Sequence, residues 1–118
     1  MGKKLAIVCN GAENSNLYPT FILGSSAAAA GDEVILFFTP GGAPALKKGE
    51  LEKIKAKGMP DMADLVEGVL MLGGRILLCE LAIDAKGIKE EEFREDIEIV
   101  GATKFLAEIT DAQITFSF

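Results

Sequence analysis

The chemistry available to this chain rests on two thiols. Cys9 and Cys79 are its only cysteines, and it contains no histidine. Without histidine, neither a Ser-His-Asp triad nor a Cys-His pair can be assembled within one chain. Two cysteines would need carboxylate partners to complete a tetrahedral zinc site, so no metal is expected. Neither GxxxxGK[ST] nor GxGxxG occurs, so no nucleotide cofactor is expected either. What remains is thiolate chemistry. Cys79 closes the apolar run Ile76-Leu77-Leu78 just before a short helical segment, whose first backbone N–H groups favour a negative sulfur. A free cysteine titrates at about 8.5, so a modest downward shift matters at neutral pH. Glu80 acts in the opposite sense, since a neighbouring carboxylate disfavours a second negative charge. The alternative for Cys79 is a small buried apolar residue at a strand end. For Cys9, which completes the run Leu5–Cys9, that structural alternative is the stronger one.

Five strands alternating with helical segments must position these thiols, the signature of βαβ units. The expected strands are 5–9, 33–38, 75–79, about 95–100 and 112–118. A helix capped by Asn14, Ser15 or Asn16 runs to about Ala30, with Pro19 placed in its first turn and Gly31 ending it. Two weaker helical pieces, 44–48 and 50–57, follow the Thr39-Pro40-Gly41-Gly42 break. Asp61 caps a helix carrying Met62, Leu65, Val66 and Val69, which Gly73 and Gly74 end. A short helical segment reaches Gly87, residues 89–92 form a charged turn, and Gly101 opens the last helix. Strands one, two and three are apolar throughout and suit the sheet centre, whereas Ile97-Glu98-Ile99 and Ile114-Thr115-Phe116-Ser117-Phe118 alternate and suit its edges. The expected fold is an α/β/α sandwich, a single domain over 1–118, with a five-stranded parallel sheet ordered 4-3-2-1-5.

Ligands of such sheets bind beyond the carboxyl ends of the strands. Here that rim comprises Cys9 and Asn10, Thr39 to Gly42, Cys79 and Glu80, and Gly101 to Thr103. Thr39, Gly41 and Gly42 can offer a hydroxyl and backbone donors to a small ligand, or simply form a turn. Gly101 is either a helix start or an anion site. Met59, Met62 and Met71 are expected as core filler or a mobile cover, and Glu90 to Glu92 as a solvated turn. The order 4-3-2-1-5 separates the two cysteines by one strand, roughly 10 Å. A disulfide wants Cα atoms within about 7 Å, so an intrachain bridge is not expected.

Composition narrows the partners. Of 118 residues 18 are acidic and 12 basic, a net charge of −6 without the clustered lysines and arginines that phosphate backbones require. Nucleic acid is therefore not an expected partner. The longest apolar stretch, 17–30, is too short to span a bilayer and contains Thr20, Ser25 and Ser26, so no membrane association is expected. No export signal is visible, and two free thiols suit a reducing, cytoplasmic setting. The charge-poor first helix suggests that another subunit covers part of it.

Three stretches bear a family resemblance. Phe37-Phe38-Thr39 with Gly42, then Cys79 followed by Asp84, Gly87 and Ile88, then Gly101-Ala102-Thr103 through Glu108 and Asp111-Ala112, follow one another in the order and spacing of the DsrE/DsrF-like sulfur-relay proteins, some of them described as peroxiredoxin-like. The chain resembles that family over almost its whole length. The resemblance implies a five-stranded α/β/α domain assembled as homotrimers or hexamers. It also implies a strand-end cysteine, here Cys79, that carries sulfane sulfur as a persulfide between donor and acceptor proteins. Cys9 has no counterpart in the pattern. Ala82 stands where relatives often have a small hydroxyl residue, and Pro40 and Gly41 replace bulkier residues. Two further readings stay open: an oligomeric small-ligand-binding module without catalysis, and a thiol redox protein.

Overall fold

The computed structural model describes residues 2–118. Its elements are β1 (Lys4–Cys9), α1 (Asn14–Ala29), β2 (Glu33–Phe38), α2 (Met62–Met71), β3 (Arg75–Cys79), α3 (Leu81–Lys86), β4 (Glu98–Val100), α4 (Ala102–Glu108) and β5 (Ile114–Ser117). The strands form one sheet in the order β4-β3-β2-β1-β5. All four pairings are parallel, so the expected topology is the one observed.

Alternation along each strand divides the side chains between two layers. Leu5, Ile7, Leu36, Phe38, Ile76 and Leu78 pack with Leu17 and Phe21 of α1 and with Met62, Val66 and Val69 of α2 in the larger core. Ile35, Phe37, Leu77, Cys79 and Val100 form a smaller layer with Phe105 of α4. The chain has little choice about α4. Moving from β4 at one edge to β5 at the other, it must cross the whole sheet, and the first face is already filled.

Departures from the sequence reading have local causes. Glu13, rather than a residue of 14–16, occupies the cap of α1, and Asn16 Oδ1 accepts its N–H at 3.3 Å. Pro19 therefore falls in the second turn, where its missing N–H leaves only the carbonyl of exposed Ser15 without its usual partner. One face of α1, with Leu17, Phe21, Gly24 and Ala28, is covered within the chain. Gly24 and Gly68 let α1 lie close to β2 and α2: a Cβ added at Gly24 would come within 3.3 Å of Leu36, and one at Gly68 within 3.6 Å of Ser25. The helical pieces expected at 44–48 and 50–57 are 3-10 turns at Pro40–Leu46 and Leu51–Lys53, and the turn at 89–92 holds another at Glu90–Glu92. β4 begins at Glu98 because residues 93–96 are engaged elsewhere. Phe93 bridges Lys47, Arg94 N–H donates to Leu46 O at 3.0 Å, and the Arg94 guanidinium pairs with Glu52 and Asp96. β5 is likewise shorter than expected. Of the methionines read as core or cover, Met62 is core, whereas Met71 is 76 % exposed.

Helix α4 is short and is held at three points. The Phe105 ring stacks on Phe37 with centroids 4.2 Å apart. Arg75 pairs with Glu98 through two 2.8 Å bonds and also with Glu108 of α4. Lys4 Nζ donates to Glu108 O and Asp111 Oδ1, both at 2.7 Å. Truncation of Phe105 removes the only buried residue of the helix. Phe105→Ala is expected to lower the unfolding free energy by about 3 kcal/mol, read as a lower urea midpoint at unchanged slope.

Candidate functional site

The carboxyl ends of the strands line up in register. Cys9 pairs with Phe38, Phe38 with Leu78 and Cys79 with Val100. One residue beyond the first two pairings, Asn10, Thr39 and Cys79 succeed one another along the rim, with Val100 next. The structure thus brings the expected rim residues to one edge, but divides them into two unlike parts.

The part over β1 and β2 is a packed turn. Thr39 Oγ1 donates to Asn10 Oδ1 at 2.5 Å, Thr39 N–H to Cys9 O at 3.1 Å, and Gly42 N–H to Thr39 O at 2.9 Å. A Cβ on Gly41 would collide with Asn10 O, and one on Gly42 would sit 2.9 Å from Cys9 O. Glycine is needed there for close backbone approach, and the Thr39 hydroxyl and the Gly42 N–H bond within the turn.

Cys9 lies in the larger core with no exposed surface. Its Sγ donates to Gly11 O at 3.4 Å and sits 3.8 Å from Asn16 O. Burial pushes this thiol above its ordinary value. Cys79 occupies the opposite layer, 5 % exposed, beside Leu77, Val100, Phe37 and Phe105. The two sulfurs are therefore separated by the sheet itself as well as by β2, which excludes a bridge between them in this fold. Cys79 makes no side-chain hydrogen bond among the described residues.

The part of the rim over β3 and β4 is built differently. Cys79 is followed by Glu80, whose N–H donates to Val100 O at 2.9 Å and whose backbone already turns into α3. The Glu80 side chain leans across the strand ends. A Cβ added to Gly101 would lie 3.1 Å from its Oε1, so Gly101 is both the cap of α4 and the gap that receives this carboxylate. Glu80 is exposed and has no ion-pair partner among the described residues. Leu81, next in the chain, is 66 % exposed, and Ala82 is fully buried. Sequence reading placed Gly101 on the rim and noted Glu80 beside Cys79. It missed Phe105 and Val100 as the cover of the thiol, and the contact of Glu80 with Gly101. The signal for Phe105 was its place on the apolar face of the last helix; nothing in the sequence signalled the direction of the Glu80 side chain.

A surface hollow of about 600 Å³ runs beside β4, lined by Lys48, Glu90, Phe93, Arg94, Ile97 and Ile99, and does not reach Cys79. Among the described residues no three His, Cys, Asp or Glu side chains converge as a metal site, and no helix is long and apolar enough to cross a membrane.

The raised Cys9 thiol makes stability depend on pH. The unfolded chain loses this proton first, so the contribution of Cys9 is complete below the free-thiol value of about 8.5 and is lost as pH rises through the higher folded value. Urea titrations between pH 8 and 10 should show wild type losing stability relative to Cys9→Ser, whose hydroxyl does not titrate there. A constant difference across that range would show that Cys9 is not held as the thiol.

Comparisons with known proteins agree on the lineage. Residues 3–118 match the model of the DsrE/DsrF-like family. An uncharacterized protein of Methanocaldococcus jannaschii is 35% identical over 89 residues, 75% of this chain; the match spans only 32% of that protein's length, about a third. The sulfur carrier protein DsrE2 of Allochromatium vinosum is 27% identical, over 87% of this chain and 90% of its own. Among solved structures, the ychN protein of E. coli superposes with a TM-score of 0.78 at 19% identity, covering 98% of this chain and 99% of that one. A protein of unknown function from Methanobacterium thermoautotrophicum does so with a TM-score of 0.75 at 12% identity, with the same coverage. At such identities these two speak for the fold alone. With a parallel sheet of this order and a family match along nearly its entire length, the chain belongs to the DsrE/DsrF-like family.

Proposed function

We propose that the protein is a sulfur carrier that holds sulfane sulfur as a persulfide on Cys79. The observation that carries this reading is the placement of Cys79 at the carboxyl end of β3, on the rim where parallel sheets take their ligands. The name of the Allochromatium relative, a sulfur carrier, supports it. So does the family match, which includes this cysteine. Cys9, sealed in the opposite layer with its thiol pushed up by burial, has neither the access nor the ionisation that exchange requires.

The chemistry needs no metal, cofactor or histidine. The Cys79 thiolate attacks the outer sulfur of a donor persulfide. The donor S–S bond breaks as the new one forms, and the donor leaves as a thiolate that takes up a proton. In the second step an acceptor thiolate attacks the outer sulfur of the Cys79 persulfide, and Cys79 departs as the thiolate. Each exchange is neutral in electrons, and its rate follows the thiolate fraction and the access of the attacking sulfur.

At 5 % exposure, Cys79 needs a local opening. Helix α4, seven residues long and with one buried side chain, is the element suited to provide it. Donor and acceptor proteins, a reducing cytoplasmic setting and assembly as a homotrimer or hexamer belong to the same proposal.

Incubation with a persulfide donor, followed by intact-mass analysis, tests it. Wild type and Cys9→Ser should gain the mass of one sulfur, reversed by a reducing thiol, and Cys79→Ser should gain none. Sulfur retained by Cys79→Ser would reject the assignment.

A further inference from the structure

The carboxylate next to Cys79 is free, and its position gives it a consequence for what can react there. Most acidic groups packed against the α4 layer are engaged. Glu98 and Glu108 hold Arg75, and Asp111 holds Lys4. Lys104, the one cation of α4, helps hold down the carboxyl of Glu98. Glu80 has no such partner among the described residues, yet it does not simply extend into water. Its Oε1 lies close to Gly101, the residue after the strand partner of Cys79.

Access to the sulfur is limited. Cys79 packs with Leu77, Val100, Phe37 and Phe105 in the layer beneath α4. It is the last residue of β3, and Glu80 follows it at the rim. The Glu80 carboxylate lies there beside Gly101. A reagent that reaches Cys79 at the rim therefore meets an exposed carboxylate without an ion-pair partner among the described residues.

We infer that Glu80 is a specificity-determining residue for exchange at Cys79. It selects donors and acceptors that carry positive charge beside the reacting sulfur, and it disfavours anionic low-molecular-weight persulfides. The inference rests on the sulfur-carrier reading for its biological substrate and deepens it by naming the charge class of that substrate. The partner that fits is a cationic thiol or persulfide, or a protein that presents its reactive cysteine beside lysine or arginine.

The test compares reagents of equal reach and different charge on the full chain. Cys79 is alkylated with neutral iodoacetamide and anionic iodoacetate, and is loaded with the persulfides of cysteamine, a cation, and of 3-mercaptopropionate, an anion. The variants are Glu80→Gln, which keeps shape and removes charge, and Glu90→Gln, a distant exposed control. Wild type should prefer the neutral and cationic reagents. Glu80→Gln should raise the anionic-to-neutral rate ratio by about 3- to 10-fold, the effect shrinking as salt rises, while Glu90→Gln leaves the ratio unchanged. A ratio unaffected by Glu80→Gln would overturn the inference. Charge-selective alkylation of Cys79 without uptake of sulfur from either persulfide would uphold the role of Glu80 and remove the carrier reading. Absence of alkylation in the folded chain would overturn both.

Discussion

Everything proposed for this protein depends on which face of the sheet receives the last side chain of β3. Strand residues alternate, so the pairing of Leu77 with Phe37 and of Cys79 with Val100 commits Cys79 to the same layer as Phe37. A slip of one residue would send Cys79 into the core beneath α1 and α2, where Cys9 already lies without solvent access. Packing on both faces holds the register, because a slip would exchange the surroundings of every residue from Ile76 to Cys79. Ile76 and Leu78 anchor the strand on one side and Leu77 on the other.

The two layers differ in depth. One has two helices, α1 and α2, and the larger share of the apolar side chains. The other has a single seven-residue helix pinned by an aromatic stack and two cationic side chains. Toward β5 that second face thins into exposed Thr115 and Ser117. A thiol under the thick layer is structural. A thiol under the thin one can be uncovered by a small local rearrangement without dismantling the core. The contrast between two cysteines in one chain thus follows from unequal coverage of a single sheet.

Much of this was legible in the sequence. The uninterrupted apolar runs of β1, β2 and β3 and the alternation around Ile99 and Phe116 separated central from edge strands, because a strand buried on both faces cannot carry a polar residue at every second position, and right-handed crossovers are met by the order 4-3-2-1-5. What was not legible came from long-range hydrogen bonds. Arg94 is drawn to Leu46, Glu52 and Asp96, which shortens β4 by three residues against the expected 95–100. The close fit of α1 on β2 and α2, set by the small residues Gly24 and Gly68, was not legible either. At the rim, Asn10, Thr39 and Gly42 were recognisable as a turn or a ligand cradle, and hydrogen bonds join them in a turn. The opposite orientation of the two cysteines needed the inter-strand register, which composition and periodicity do not supply.

The central claim is that Cys79 becomes accessible by local opening while Cys9 becomes accessible only when the fold is lost. The most direct measurement is the rate of modification of each cysteine by a neutral alkylating reagent at increasing urea concentrations below the unfolding transition, resolved by peptide mass spectrometry. The account predicts a Cys79 rate nearly independent of urea, and a Cys9 rate that climbs steeply with the slope of global unfolding. Equal, steep dependence for both thiols would contradict it.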